Sequence, residues 1–212
     1  LMANDVVYFV TMKEHIQFVK EQAGKKDYQI RNVMIMGGSR IAQKTIQYFP
    51  GNINVKVMER DKEKCYLLAG CLHNALIINA DGRNVEALKS EGIEEIDAFI
   101  ATTSNSEANI LACLEAKRLG VKKTVAEVEN IDYIQLAEEL DIGSVINKKM
   151  IAASYIYQLT LDADVLDVKS LTSADAEVVE FVAKTGSKIT KSQIKNVRLT
   201  ENVNIGGIVR DG

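Results

Sequence analysis

The residues with the clearest chemistry are Gly37-Gly38-Ser39-Arg40-Ile41-Ala42 and, further on, Glu59-Arg60. A glycine pair that turns a chain into a helix leaves free backbone N–H groups at the positive end of the helix dipole, and these favour a phosphate. An acidic side chain at the tip of the following strand can accept hydrogen bonds from both hydroxyls of a ribose. Gly37 and Glu59 lie 22 positions apart, close to the roughly 20 that a nucleotide would need between its phosphate and its ribose.

For these groups to meet, the chain between them must run strand, turn, helix, strand. Val33 to Met36 is an apolar run of the length of a buried parallel strand. Ile41, Thr45 and Ile46 recur at helical spacing, Tyr48 and Phe49 close the helix, and Pro50-Gly51 stops it. Val55 to Met58 is the second strand, with Glu59 at its carboxyl end. This is a Rossmann-type unit with an incomplete fingerprint. The three glycine slots hold Gly37, Ser39 and Ala42, so Ser39 stands where a missing side chain would let backbone approach a pyrophosphate. The competing reading is a doubly wound sheet whose nucleotide site has decayed.

The rest of the chain repeats the alternation. Lys62–Leu72 is expected to be a helix with Tyr66, Leu67 and Leu68 facing inward, and Ala75–Ile78 a third strand followed by the loop Asn79-Ala80-Asp81-Gly82. Val85–Glu91 is a short helix and Ala98–Thr102 a fourth strand. Ser104 and Glu107 have the spacing of a capping box, before a helix presenting Ile110, Leu111, Leu114 and Leu119. Thr124–Val128, Tyr133–Leu140 and Ser144–Ile146 complete a strand, a helix and a short strand. Six strands alternating with helices predict an α/β fold, a doubly wound parallel sheet over residues 30–148. Ligands of such sheets bind beyond the carboxyl ends of the strands, which places Gly37 to Arg40, Glu59, Arg60, Asp81, Gly82, Thr102 to Ser104 and Glu127 on one edge. Arg40 would neutralise phosphate, and Asp81 would hold a ribose or the adenine side.

Residues 1–26 hold a strand over Val6–Thr11, a helix over Lys13–Gln22 and a polar joint at Lys25-Lys26-Asp27, and read as the tail of a preceding domain. Residues 149–162 are a crossover helix with a broad apolar face of Ile151, Ala152, Tyr155, Ile156 and Leu159, which needs a partner. From residue 163 to 212 the texture is that of a truncated small α+β domain. It has strands over Val165–Val168 and Ala176–Val182, a short helix over Lys191–Val197 capped by Thr190 or Ser192, and a last strand over Ile205–Val209. With Leu1 at one end and a stop at Gly212, the chain reads as a fragment of a longer one.

Composition limits the alternatives. The chain has 212 residues, 47% hydrophobic and 26% charged, with a formal net charge of −3, which gives no general attraction to nucleic acid or anionic lipid. No apolar run is long enough to span a membrane. Cys65, Cys71 and Cys113 lack metal-ligand spacing and read as reduced thiols. His15 and His73, the only histidines, have no Cys, Asp or Glu partner at ligand spacing and read as surface or packing residues.

The strings Val-Met-Glu-Arg-Asp (57–61), Ala-Asp-Gly (80–82), Ala-Thr-Thr-Ser-Asn-Ser-Glu-Ala-Asn-Ile-Leu-Ala (101–112) and Ala-Lys-Arg-Leu-Gly (116–120) resemble the regulator-of-potassium-conductance family. Within it, they are most similar to the cytosolic regulatory subunits of bacterial Trk potassium uptake. The resemblance is strong over about residues 30–150. It implies a binding module and not an enzyme. Such a module takes NAD(H), or alternatively ATP or ADP, at the glycine turn and forms dimers or larger homo-oligomers. It docks on a membrane potassium-transporter subunit from the cytoplasmic face without inserting, and passes ligand-dependent changes of its ring to the channel. Carried over residue by residue, it puts Gly37, Gly38, Ser39, Arg40, Ile41 and Ala42 on the glycine motif. Glu59 and Arg60 fall at the ribose end, Asp81 and Gly82 in the loop after the third strand, and Thr102 and Thr103 in the loop after the fourth. Ser39 for the middle glycine and Ala80 for the glycine before Asp-Gly depart from the family pattern, and point to weaker binding or a mononucleotide. An NAD-dependent oxidoreductase would need a substrate domain and an acid–base group beside the hydride. No Tyr-x-x-x-Lys pair occurs, and neither histidine falls at a strand end.

Overall fold

Val33, Met34, Ile35 and Met36 are all buried, as a strand covered by helices on both faces must be. They form β1 (Asn32–Met36) of a computed structural model that describes residues 7, 9, 11–12, 15–24, 29–160, 165–171 and 176–208. The elements that follow are α2 (Arg40–Tyr48), β2 (Asn54–Glu59), α3 (Lys62–Cys71), β3 (Leu76–Asn79), α4 (Val85–Ser90), β4 (Ala98–Ala101), α5 (Ser106–Arg118), β5 (Lys123–Glu127), α6 (Asp132–Glu139), β6 (Ser144–Ile146) and α7 (Lys148–Thr160). α1 (Ile16–Gln22) precedes them, and β7 (Val165–Leu171) and β8 (Ala176–Phe181) come last.

The six strands β1–β6 pair in the order β3-β2-β1-β4-β5-β6, all parallel. After β1 the chain winds outward to β3, then crosses back to lay β4 on the other side of β1. That reversal opens a crevice over the carboxyl ends of β1 and β4, where Met36 is in register with both Met58 and Ala101. The expected doubly wound parallel sheet is thus the observed one. One face packs Val33, Ile35 and Val57 against Ala42 and Ile46 of α2 and Leu68 of α3. The other packs Met34, Met36 and Phe99 against Leu88 of α4 and Ile110, Cys113 and Ala116 of α5.

The helix starts at the ligand edge are set by short polar side chains. Ser39, Asp61, Asn84 and Asn105 each accept a hydrogen bond from a first-turn amide of α2, α3, α4 and α5, and Asn147 accepts from Met150 N at 2.9 Å at the start of α7. The capping-box reading is off by one residue. Asn105 caps α5, accepting from Ala108 N at 2.6 Å, and Ser104 stays in the loop. Two helix faces also differ from expectation. Tyr66 and Leu67 are exposed, and only Leu68 of the expected trio is buried, because α3 turns one stripe (Cys65, Leu68, Leu72) to the sheet. On α5 the inward stripe is Ser106, Asn109, Ile110, Cys113 and Ala116, so Leu111 and Leu114 face outward. Small inward residues let a helix lie close on a sheet.

The described residues divide into two compact units, residues 28–152, and residues 153–212 with those before 28. In the second, β7 and β8 form an antiparallel pair with an irregularity between Val165 and Asp167. In place of one helix over Lys191–Val197 there are two single 3-10 turns, Lys188–Thr190 and Ile194–Asn196. A segment this short and polar has no apolar stripe to hold a longer helix. Residues 205–208 are not in a strand, and Val209 lies outside the described residues. α1 ends with Gly24 at φ +67°, as a helix-terminating glycine does. Of the strand expected over Val6–Thr11, Val7, Phe9 and Thr11 are described and are not in a strand, and the remainder lies outside the described residues. So does the joint at Lys25–Asp27.

Candidate functional site

The turn after β1 requires its glycines. Gly37 has φ +94°, and a Cβ there would lie 2.9 Å from Thr103 Cγ2. A Cβ on Gly38 would run into Leu68 Cδ1 and stand 3.4 Å from Glu59 Oε2. Gly37 N donates to Met58 O at 2.9 Å, tying the turn to β2. Gly38 N donates to Glu59 Oε2 at 3.0 Å, so the two halves of the sequence fingerprint are in direct contact.

Ser39 is not merely a blocked glycine slot. Its hydroxyl caps α2, accepting from Ala42 N at 3.1 Å. The first N–H groups of a helix have no partners within it. With Ala42 satisfied, those of Arg40 and Ile41 are left at the mouth of the crevice. The Arg40 side chain is exposed, and so is Arg60 just past the end of β2. Open amides at the start of a helix favour an anion.

Glu59 is 7% exposed. Besides the Gly38 amide, its carboxylate accepts from Asp61 N at 3.0 Å and pairs with Lys64 Nζ at 2.7 Å. Burial pushes its carboxyl up, but the hydrogen bonds from Lys64, Asp61 and Gly38 outweigh that and hold it below the ordinary carboxylate range. It is therefore an anion at neutral pH, as an acceptor of ribose hydroxyls must be.

Gly82 packs against β1, since a Cβ there would lie 2.5 Å from Met36 Cγ. It thus brings the loop after β3 against the same crevice. Asp81, beside it, is held by Arg83. The Arg83 guanidinium donates to both carboxylate oxygens, with Nη2 at 2.5 Å from Oδ2, and draws the Asp81 carboxyl down to about 2. Asp81 is committed to its own loop and a ligand would share it with Arg83.

The loop after β4 is built differently. Thr102 Oγ1 donates to Gly37 O at 3.3 Å, locking it to the glycine turn. Asn109, fully buried on α5, accepts from Thr103 N at 3.1 Å and from Thr103 Oγ1 at 2.6 Å, and donates to Thr103 O and Glu127 O at 2.9 and 2.8 Å. Ser106 Oγ accepts from Glu129 N at 3.0 Å. Glu127, 4% exposed, pairs with Lys148 Nζ at 3.1 Å, and Lys148 also pairs with Glu129. Lys149 approaches Glu129 at 3.6 Å.

All the residues picked from the sequence therefore sit on one edge of the sheet. Gly37, Gly38, Glu59, Thr102 and Thr103 are joined by direct contacts and Gly82 by packing on Met36, while Arg40 and Ile41 open α2 and Arg60 follows β2. Sequence reasoning gave no role to Lys64 or Arg83, and it held Asn109 only as part of the string over 101–112 without a role of its own. The first two show only as cations five and two positions after acids, a common surface pattern. Asn109 shows as an amide on the inward stripe of α5. Among the described residues no group of three His, Cys, Asp or Glu could hold a metal ion. The thiols are free, and burial raises that of Cys113 to about 12.

Residues 33–148 match the family model of the TrkA-N domain. The chain belongs to the TrkA family. It is 31% identical over 211 residues to the Trk system potassium uptake protein TrkA of Vibrio alginolyticus, covering 98% of this chain and 46% of that one. The TrkA of Haemophilus influenzae matches at the same identity and coverage, so the chain spans about half the length of the curated relatives it matches. Among solved structures, the GsuK channel bound to NAD superposes with a TM-score of 0.54 at 15% identity, over 66% of this chain and 26% of that one. That likeness establishes the TrkA-family unit as Rossmann-like.

Proposed function

We propose that residues 30–148 are a nucleotide-binding regulatory domain, part of a subunit that controls a membrane potassium-uptake channel. The observation that carries this is the contact of Gly38 N with Glu59 inside a crevice that also presents the free amides of Arg40 and Ile41. The amides suit a phosphate and the anionic Glu59 a ribose, in the order that a nucleotide presents them. NAD(H) is the first candidate ligand, since the GsuK structure holds NAD. ATP and ADP offer the same ribose and phosphate. Gly37, Gly38, Ser39, Arg40 and Ile41 would hold phosphate, Glu59 and Arg60 the ribose end, and Asp81, Gly82, Thr102 and Thr103 the flanking loops.

In this reading the protein is a binding module without catalytic chemistry. Residues 149–162 lead into a small second domain at 163–212, and the subunit works as a homo-oligomer at the inner face of the membrane. Support for the oligomer comes from α7, where Ile151, Tyr155, Ile156 and Leu159 are all more than half exposed. No helix among the described residues is long and apolar enough to cross a membrane. Ligand would act by favouring one arrangement of the oligomer over another. Sedimentation velocity with and without NADH or ATP tests this. The expected result is a dimer or larger species whose shape or size shifts with ligand, and a strict monomer at high concentration contradicts it.

A second reading, a structural half with a decayed site, is favoured by one observation. The Glu59 carboxylate is already engaged by three donors of this chain.

A further inference from the structure

Those three donors are not equivalent. Glu59 Oε2 accepts from Gly38 N at 3.0 Å and from Lys64 Nζ at 2.7 Å, while Oε1 accepts from Asp61 N at 3.0 Å. A carboxylate oxygen has two lone-pair sites. Oε2 is therefore full, and Oε1 has one place left. A ribose brings two hydroxyl donors, so the open place takes one and the other needs a donor to leave.

Two of the donors are fixed. The amide of Gly38 belongs to a turn that tolerates no Cβ, and that of Asp61 to the residue that caps α3. Lys64 is the movable one. Its backbone is pinned, since Lys64 N donates to Asp61 Oδ1 at 3.0 Å, but its side chain is 42% exposed on a flexible stem with water to enter. The half-exposed ammonium can thus leave for water at a modest cost that the incoming hydroxyl must offset, whereas the two amides cannot move.

We infer that Lys64 is an internal competitor of the ribose, holding on Glu59 the place of the second ribose hydroxyl until a nucleotide ejects it. Lys64 is then a specificity-determining residue of the site, an inference that rests on the nucleotide-binding reading above. A 2′-deoxyribose brings one hydroxyl, uses the open place on Oε1 and has no need to eject Lys64. The lysine therefore narrows the preference of the site for ribose over deoxyribose.

The test is calorimetric titration of the whole 212-residue chain with ATP and with 2′-dATP, for the native sequence and for Lys64→Met and Lys64→Gln. The two ligands carry the same phosphates, so any loss of attraction between Lys64 and phosphate cancels in the ratio of their affinities. That ratio is expected to rise about threefold to tenfold in Lys64→Met, the span of a partly exposed charge-assisted bond, and by less in Lys64→Gln, whose amide can still donate to Glu59. Thermal unfolding of each variant checks that it is folded. An unchanged ratio with measurable ATP binding overturns the role of Lys64 and leaves the nucleotide reading standing. Absence of ATP and 2′-dATP binding by all three folded proteins overturns this inference, and the nucleotide reading falls with it only if NADH also fails to bind them. Binding by the variants but not by the native chain supports the competitor in its strongest form.

Discussion

The two halves of the sheet's ligand edge are built on opposite plans. On the β1–β2 side the crevice is lined by backbone: a glycine turn, the open amides of Arg40 and Ile41, and a carboxylate held largely by amides. On the β4–β5 side the side chains are already engaged, Asn109 with Thr103 and the Glu127 carbonyl, Ser106 with the Glu129 amide, and Glu127 with Lys148. The first leaves donors for a guest, and the second has its buried polar atoms satisfied. Among the described residues, no buried side-chain nitrogen or oxygen lacks a hydrogen-bond partner. In the proposed reading, the contrast separates a place for a nucleotide from a frame that holds that place in shape.

The sharpest way to break this contrast is Asn109→Ala. It strands Thr103 N, Thr103 O and Glu127 O in a buried setting, at a cost of about 3–5 kcal/mol. Urea unfolding should show that loss, and nucleotide affinity of the protein still folded should fall only as the Thr103 loop loosens. Gly38→Ala should act the other way round. The new Cβ meets Leu68 and crowds Glu59, so stability should drop by about 1–3 kcal/mol while binding is lost outright. Gly51→Ala, with nothing within 4 Å, is the control that should leave both unchanged.

The smallest effect concerns Asp81. Arg83 holds its folded-state carboxyl near 2, against an ordinary value of 3.8. A depressed carboxyl contributes stability fully above its unfolded value and loses it as pH falls through the folded one. The window is thus from about pH 4 down to about 2. Because both side chains are more than a third exposed, the contribution should stay under about 1 kcal/mol. Arg83→Ala should remove that part of the acid dependence in unfolding curves measured across the window.

The glycine turn and its contact with Glu59 were legible in the sequence, and the side-chain frame on the β4–β5 side largely was not. Gly37 and Gly38 announce a turn that side chains cannot enter, and Glu59 falls at a fixed distance from them, so local pattern suffices. Asn109 stands in the string over 101–112, but nothing in that string says what it bonds. Its partners Thr103 and Glu127 lie 6 and 18 residues away, and only the pairing of β4 with β5 brings them together. The helix faces failed for a related reason. Leu111 and Leu114 are strongly apolar yet exposed, while Ser106, Cys113 and Ala116 are buried, because close approach of α5 to the sheet selects small residues over greasy ones. Ser39 shows that a position can serve two purposes. Its departure from glycine suggested a weakened site, and the structure gives it the cap of α2.

The most direct measurement is calorimetric titration of the chain with NADH, NAD, ATP, ADP and AMP, with NADPH as a competitor of NADH and Glu59→Ala as the control. The nucleotide-binding account predicts saturable binding of at least one of these ligands, at least about tenfold weaker in Glu59→Ala, with NADH preferred to NADPH because the carboxylate repels a 2′-phosphate. Binding that is indifferent to Glu59→Ala, or a preference for NADPH, would contradict it.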